Sequence, residues 1–292
     1  MLSDNKEQIV VTGGAGFIGT NLIKKLVAKG HTVVSLDNYS TGTRSNHIEG
    51  CDYVNADVRD IPSWVAEVGT WKPTLIYHLA ALPRIQPSFD DPVETFLNNT
   101  DGSLAVAEWA RKHNAKVVYS GSSSRWHNPY QSPYATFKHL GEEIFKMYRT
   151  VYGLDAEIVR FYNVYGPHEI IEGDWAAVIG KWLYQVSKGE PITIVGDGRQ
   201  RRDFTHVDDI VDGLYRIGMK NQKHKDAWEL GTGCDYAINE VFLMFKERFN
   251  ATSVYVDDQP GNYRKTLREN NDAIERLGWY PKDRLREYIL SL

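Results

Sequence analysis

Tyr134-Ala-Thr-Phe-Lys138 sets a phenol and an ammonium at i and i+4, neighbours on one helix face. A phenol with a pKa of about 10 is a poor base at neutral pH, but a nearby cation favours the phenolate and turns the tyrosine into a general base. Spacing does not select this pair, because Tyr184-xxx-Lys188 matches it equally well. Position does. Only Tyr134 follows a serine-rich segment, Ser120-Gly121-Ser122-Ser123-Ser124, whose hydroxyls can relay a proton. Tyr134 and Lys138 are therefore the expected catalytic pair.

A second group of residues points to a dinucleotide. Thr12-Gly13-Gly14-Ala15-Gly16-Phe17-Ile18-Gly19 lies between an apolar run, Gln8 to Thr12, and a helical stripe of Ile18, Leu22, Ile23, Leu26 and Val27. It reads as GxGxxG from Gly14 or as GxxGxxG from Gly13. After a strand and before a helix, such small residues let the backbone approach a pyrophosphate, and the free N–H groups of the helix start face its charge. Asp37 ends the next β-branched run, Thr32 to Leu36, at about the 20-residue distance from which a carboxylate accepts both adenosine ribose hydroxyls. Asn38 follows it rather than arginine, and the nearest cation in sequence is Arg44. A 2′-phosphate would be repelled by Asp37, so the expected cofactor is NAD rather than NADP.

The elements that must position these groups alternate. Strand candidates at Asp52 to Val58, Thr74 to Ala80, Lys116 to Ser120 and Glu157 to Tyr162 are separated by helical patterns, notably Val93 to His113 and Tyr134 to Tyr152. Near-continuous apolar strands between helices predict an α/β fold with a doubly wound parallel sheet, a Rossmann domain over residues 1–166. After Gly166 the chain is broken by prolines and glycines. Residues 201–235, with strand-like Trp228 to Leu230 and a helix at Val207 to Met219, are expected to return to the sheet. Residues 167–200 and 236–292, with amphipathic helices at Ile238 to Phe249 and Asn270 to Gly278, are expected to form a smaller substrate-binding region.

Composition narrows the classes. A chain of 292 residues buries roughly 75% of its unfolded surface, enough for a core without metal or disulfide. Its net charge of −4, with basic residues scattered, gives no footprint for nucleic acid. No apolar run approaches membrane-spanning length, and the polar start, Met1 to Gln8, is unlike an export signal, so a cytoplasmic protein is expected. Cys51 and Cys234 lack metal or redox spacing and read as free buried thiols, and the nine histidines show no ligand spacing. No metal site is expected.

In order along the chain stand the glycine string, Asp37-Asn38, Asp57-Val58, His78-Leu-Ala-Ala81, Asn98-Asn-Thr-Asp-Gly102, the serine run and Tyr134-xxx-Lys138. Arg160-Phe-Tyr-Asn-Val-Tyr-Gly-Pro167 and Arg202-Asp-Phe204 follow. Together they resemble the extended short-chain dehydrogenase/reductase family over nearly the whole chain, and within it the nucleotide-sugar 4-epimerases. The resemblance implies that Asp57 and Val58 meet the adenine, that Leu79, Ala80 and Ala81 lie beneath the cofactor and that Asn98 stands near the nicotinamide. It puts Ser122 at the catalytic serine position, with Ser123 as the alternative, and Asn163 and Arg202 on the substrate diphosphate. Thr266 falls where side-chain bulk limits the sugar C2 substituent, and related proteins pair as homodimers through the helices at Val93 to His113 and Tyr134 to Tyr152.

The chain also departs from the pattern. Arg125-Trp126-His127 replaces the usual Val-Tyr-Gly after the serines, and Gln259-Pro260-Gly261-Asn262 replaces Arg-Pro-Gly-Asp, so neutral amides stand for a cation and a carboxylate at the nucleotide. The reading favoured is an isomerase acting at C4 of a nucleotide sugar, UDP-linked by preference. In it Tyr134 takes the 4-OH proton, directly or through Ser122, as hydride passes to NAD. Enzymes that dehydrate or decarboxylate the sugar resemble one another in an acid beside the catalytic serine, and no Asp or Glu occurs between Glu108 and Glu142. A lyase is the second reading and a catalytically silent NAD-binding scaffold the third.

Overall fold

Seven short strands pair in parallel, and all but the edge strand Cys51–Asn55 are largely buried on both faces, which a parallel sheet covered by helices allows. A computed structural model describes residues 7–60 and 72–292. Most of the polar start, residues 1–6, lies outside the described residues. The strands are β1 (Gln8–Thr12), β2 (Thr32–Asp37), β3 (Cys51–Asn55), β4 (Leu75–His78), β5 (Lys116–Ser122) and β6 (Ala156–Phe161), with Trp228–Leu230 outside β6. Their order is Trp228–Leu230, β6, β5, β4, β1, β2, β3. The order reverses between β1 and β4, and a crevice opens at that point beyond the carboxyl ends of the strands.

One face of the sheet is covered by helices Phe17–Ala28 and Val207–Met219, through Leu22, Ile23, Leu26, Ile210, Val211 and Leu214. The other is covered by helices Gly102–His113 and Pro133–Tyr152, through Val106, Trp109, Ala110, Phe145 and Tyr148. A separate core, built on Trp182, Ile192, Ile194, Phe245 and Ile289, holds the smaller region.

Residues 201–235 divide. Helix Val207–Met219 and strand Trp228–Leu230 join the large sheet, whereas Arg201–Asp203 pairs with Asp235–Ala237 and Lys265–Thr266 in a three-stranded sheet of the small region. This corrects the expectation for 201–203, whose polar Arg-Arg-Asp sequence suits a cavity wall better than a buried sheet. The helix expected from Val93 to His113 is also interrupted, since Pro92–Phe96 runs into a π-turn at Leu97–Asp101 before Gly102–His113. The wider turn brings the consecutive Asn98 and Asn99 both inside, 5% and 1% exposed, where regular helical spacing separates neighbours by about 100°. Neither cysteine is bonded to the other, and Cys234 is exposed rather than buried because it sits in the turn before Asp235–Ala237.

Candidate active site

A cavity of about 690 Å³ occupies the crevice. Gly13, Gly16, Phe17, Ile18 and Gly19 line one end. Gly13 has φ +71°, and a Cβ on it would lie 2.8 Å from the Ala80 nitrogen; one on Gly19 would lie 2.1 Å from the Gly13 carbonyl oxygen. The turn is thus closed to larger side chains, and helix Phe17–Ala28 starts at Gly16 with no side-chain cap, leaving its first N–H groups open to an anion. Asp37 is 7% exposed, and its two carboxylate oxygens accept from Ala15 N at 2.9 Å and Tyr39 N at 2.8 Å. Burial pushes its pKa up, and those two N–H groups oppose the shift. The glycine cradle and a buried carboxylate at the end of β2 fit a dinucleotide with a free ribose.

Asn38, Val58, Leu79, Ala80, Ala81 and Asn98 continue the wall. Asp57 stands behind it. Its carboxylate is held by Arg59 at 2.7 and 2.8 Å and by Asn38 Nδ2 at 2.9 Å, so it orients Asn38. Burial would raise its pKa, but Arg59 prevails and brings it to about 2. Asn98 Nδ2 donates to Glu94 Oε1 at 2.9 Å, and Asn99 clamps the backbone of Leu82 through both amide atoms.

Tyr134 sits in the first turn of helix Pro133–Tyr152, which Ser132 caps by accepting from Ala135 N. Its hydroxyl donates to Ser122 Oγ at 3.4 Å. Ser122 is therefore the serine that reaches the phenol, while Ser123 lines the cavity beside it. Lys138 is 4% exposed, and its Nζ donates to the Ser120 carbonyl at 2.6 Å. Burial brings this ammonium down to about 8, against the pull of Glu142. Burial raises the Tyr134 phenol; the Ser122 hydrogen bond and the Arg84 cation lower it. Tyr184 is outside the cavity, its hydroxyl donating to Glu172 on the surface.

Beneath the serines lies a buried charge cluster. Arg160, 1% exposed, donates to Glu142 at 2.7 Å, to Asp226 at 2.8 Å and to Glu229 at 3.5 Å. Glu229 also accepts from Trp126 Nε1 at 2.7 Å and Tyr162 Oη at 2.9 Å. The departure at Arg125-Trp126-His127 is thus built into the structure: Trp126 ties the loop after the serines to the strand Trp228–Leu230, and its ring lies over the Arg160 guanidinium at 5.0 Å. His127 stacks on Tyr263, ring centroids 3.8 Å apart.

At the far end, Arg202 Nη2 donates to Asn262 Oδ1 at 2.6 Å, and burial brings Arg202 down to about 10. Asn163 also lines the cavity, but both its amide protons are taken within the protein, by the Asp203 carbonyl and by Thr266 Oγ1. Gln259 and Asn262 line the rim, and Asn262 Nδ2 donates to Asp258. A carboxylate at position 262 would face Asp258, which accounts for the amide. Of the other nearby cations, Arg264 is paired with Asp197 at 2.9 Å and Lys181 lines the cavity.

Residues 9–231 match the model of the NAD dependent epimerase/dehydratase family. The chain belongs to that family. NAD is the cofactor. A relative from Mycolicibacterium smegmatis described as UDP-glucose 4-epimerase is 34% identical, over 96% of this chain and 95% of that protein. A UDP-glucuronic acid decarboxylase of Arabidopsis thaliana is 29% identical over 96% of this chain and 66% of its own. The crystal structure of a Thermotoga maritima UDP-glucose 4-epimerase with UDP-glucose superposes with a TM-score of 0.90 at 29% identity, covering 97% of this chain and 96% of that one. The family is one of enzymes, and its members named here include both isomerases and a lyase. Among the described residues no helix is long and apolar enough to cross a membrane.

Among the residues of the cavity wall that sequence reasoning missed are Arg84 and Glu169. The signal for Arg84 was present, since it is the only charged residue between His78 and Asp90. Glu169 carries no comparable mark. For the adenosine end, Asp37→Asn removes the charge while retaining an acceptor. The wild type is expected to bind NAD at least about 10-fold more tightly than NADP, and Asp37→Asn to narrow that gap. Fluorescence titration of both proteins with both nucleotides checks this, and equal wild-type affinities would refute it.

Proposed function

We propose that the protein interconverts the C4 epimers of a nucleotide-diphosphate sugar, with a UDP-sugar as substrate. The observation that carries this reading is the Tyr134, Ser122 and Lys138 arrangement in a serine wall without an acid: Glu142, the carboxylate behind it, is engaged by Arg160. The relatives described as UDP-glucose 4-epimerases support it.

When bound, NAD supplies the acceptor and later the donor of the C4 hydride. The protein's own groups handle the proton. Ser122 and Tyr134 meet the sugar 4-OH, and the phenolate takes its proton. Lys138 stands by as the ammonium that makes a phenolate tenable, held by the Ser120 carbonyl. The proton returns from the same phenol after the sugar has presented its other face. That turn requires an anchored nucleotide and a mobile ring, and Arg202, a cation of the cavity wall as Lys181 is, would hold the diphosphate. The small region, 167–203 with 235–292, supplies this half of the cavity. Two copies would pair through the exposed Val93, Phe96, Leu140, Met147 and Val151 of the helices flanking the site.

Incubating the NAD-loaded protein with UDP-glucose, UDP-N-acetylglucosamine and UDP-glucuronate, followed by chromatography and mass spectrometry, tests the reading. A stereoisomer of unchanged mass is expected. A product lighter by water or carbon dioxide would establish the lyase instead.

A further inference from the structure

Arg84 and Glu169 carry no proton in the steps above, although the Arg84 cation lowers the Tyr134 phenol, and both line the cavity. Arg84 precedes helix Ile85–Asp90, which is pinned beside the catalytic tyrosine because Tyr134 N donates to Ser88 Oγ at 3.1 Å. Its Nε donates to the Trp175 carbonyl at 2.9 Å, which fixes the guanidinium plane. Among the described residues its two terminal nitrogens have no hydrogen-bond partner and the side chain forms no ion pair. Glu169 follows His168, whose φ of +68° turns the chain back toward the cavity. Both carboxylate oxygens of Glu169 are buried and accept no hydrogen bond of regular geometry, although the Gly166 and Gly180 N–H groups face them. The cavity wall thus holds an unpaired cation and an unpaired anion that sense one another without closing a salt bridge.

We propose that Arg84 and Glu169 form a specificity wall for the sugar, selecting an uncharged, hydroxyl-bearing ring over one that carries a carboxylate. A hydroxyl accepts from Arg84 and brings no net charge against the buried Glu169 carboxylate, so it is tolerated by both. A carboxylate satisfies Arg84 but brings no proton and a like charge against Glu169, which in a covered site is costly. The inference rests on the nucleotide-sugar reading and deepens it.

The groups facing Glu169 are Arg84, Tyr288 and the amide N–H groups of Gly166 and Gly180. Burial pushes its carboxyl up to about 7, and Arg84 with the two amides opposes this only in part. Its repulsive charge is therefore present above about pH 7 and fades below it, as the carboxyl takes up a proton.

Calorimetry on the NAD-loaded full chain with UDP-glucose, UDP-glucuronate and UDP tests the wall. The wild type is expected to prefer UDP-glucose over UDP-glucuronate by about 10-fold or more at pH 8. Glu169→Gln should narrow that gap by about 10-fold, and Arg84→Gln should widen it, with UDP alone unchanged in both. Lowering the pH from 8 to 6 should tighten UDP-glucuronate relative to UDP-glucose in the wild type and not in Glu169→Gln. The pH arm on the wild type stands even where a variant fails to fold. Equal or tighter wild-type binding of UDP-glucuronate at pH 8, or a gap unmoved by Glu169→Gln, would overturn the inference. If the wild type still converts UDP-glucose to its stereoisomer, only the wall is refuted. If it neither binds nor converts any UDP-sugar, the reading beneath it falls as well.

Discussion

Tyr134→Phe should lower turnover by about 10²-fold or more while leaving NAD binding nearly unchanged. The substitution removes one oxygen, the only atom of Tyr134 that reaches Ser122. The backbone bond from Tyr134 N to Ser88, the Ser132 cap and the Lys138 bond to the Ser120 carbonyl all survive it. Single-turnover kinetics and NAD titration on the same preparation separate the two effects. Tyr184→Phe is the control, because its hydroxyl donates to Glu172 at the surface, outside the cavity, and Lys188 lies over its ring at 5.1 Å. Equal losses in both variants would remove Tyr134 from the role of base.

The second large effect is on stability. Arg160→Met is expected to cost about 3 to 5 kcal/mol in urea unfolding, because Glu142 and Glu229, at 1% and 3% side-chain exposure, lose the Arg160 guanidinium, and Glu142 keeps only the longer ion pair to Arg125 at 3.9 Å. Asp226, at 45%, can turn to water and contributes little to that cost. The double variant Arg160→Met with Glu142→Gln should cost less than the sum of the two single changes, since a neutral amide no longer needs the cation. Strict additivity would mean that the cluster is not a coupled unit. The consequence reaches the active site because Trp126 both packs on Arg160 and bonds to Glu229, and Trp126 belongs to the loop that follows Ser122.

The unequal legibility of these residues has a common cause. Tyr134 and Lys138 are four residues apart on one helix, and the glycines, Phe17 and Ile18 occupy one strand-to-helix turn. Backbone geometry alone brings such groups together. Asp37 is slightly less local, but the pairing of β1 with β2 is direct, so the carboxylate at the end of β2 must come level with the turn that ends β1. Other assignments needed the fold. The choice of Ser122 over Ser123 depends on where the strand stops, since Ser122 is the last residue of β5 and Ser123 begins a 3-10 turn, and the inward placement of both Asn98 and Asn99 depends on a π-turn that no apolar periodicity announces.

What the sequence determined by itself is therefore the dinucleotide turn, the alternation of strands and helices, the Tyr134 and Lys138 pair and the absence of any acid in the serine run. Each is set within a few residues, by dihedral preference and by the periods of helix and strand. Only the tertiary structure decided that Arg160 is a buried hub, that Asn163 gives its protons to the protein, that Arg202 is joined to Asn262 and that Arg84 and Glu169 share a wall unpaired. Those relations join segments tens of residues apart. Their partners are selected when loops close and side chains compete for burial, and a charged residue in a linear chain carries no mark of whether its counter-ion will reach it.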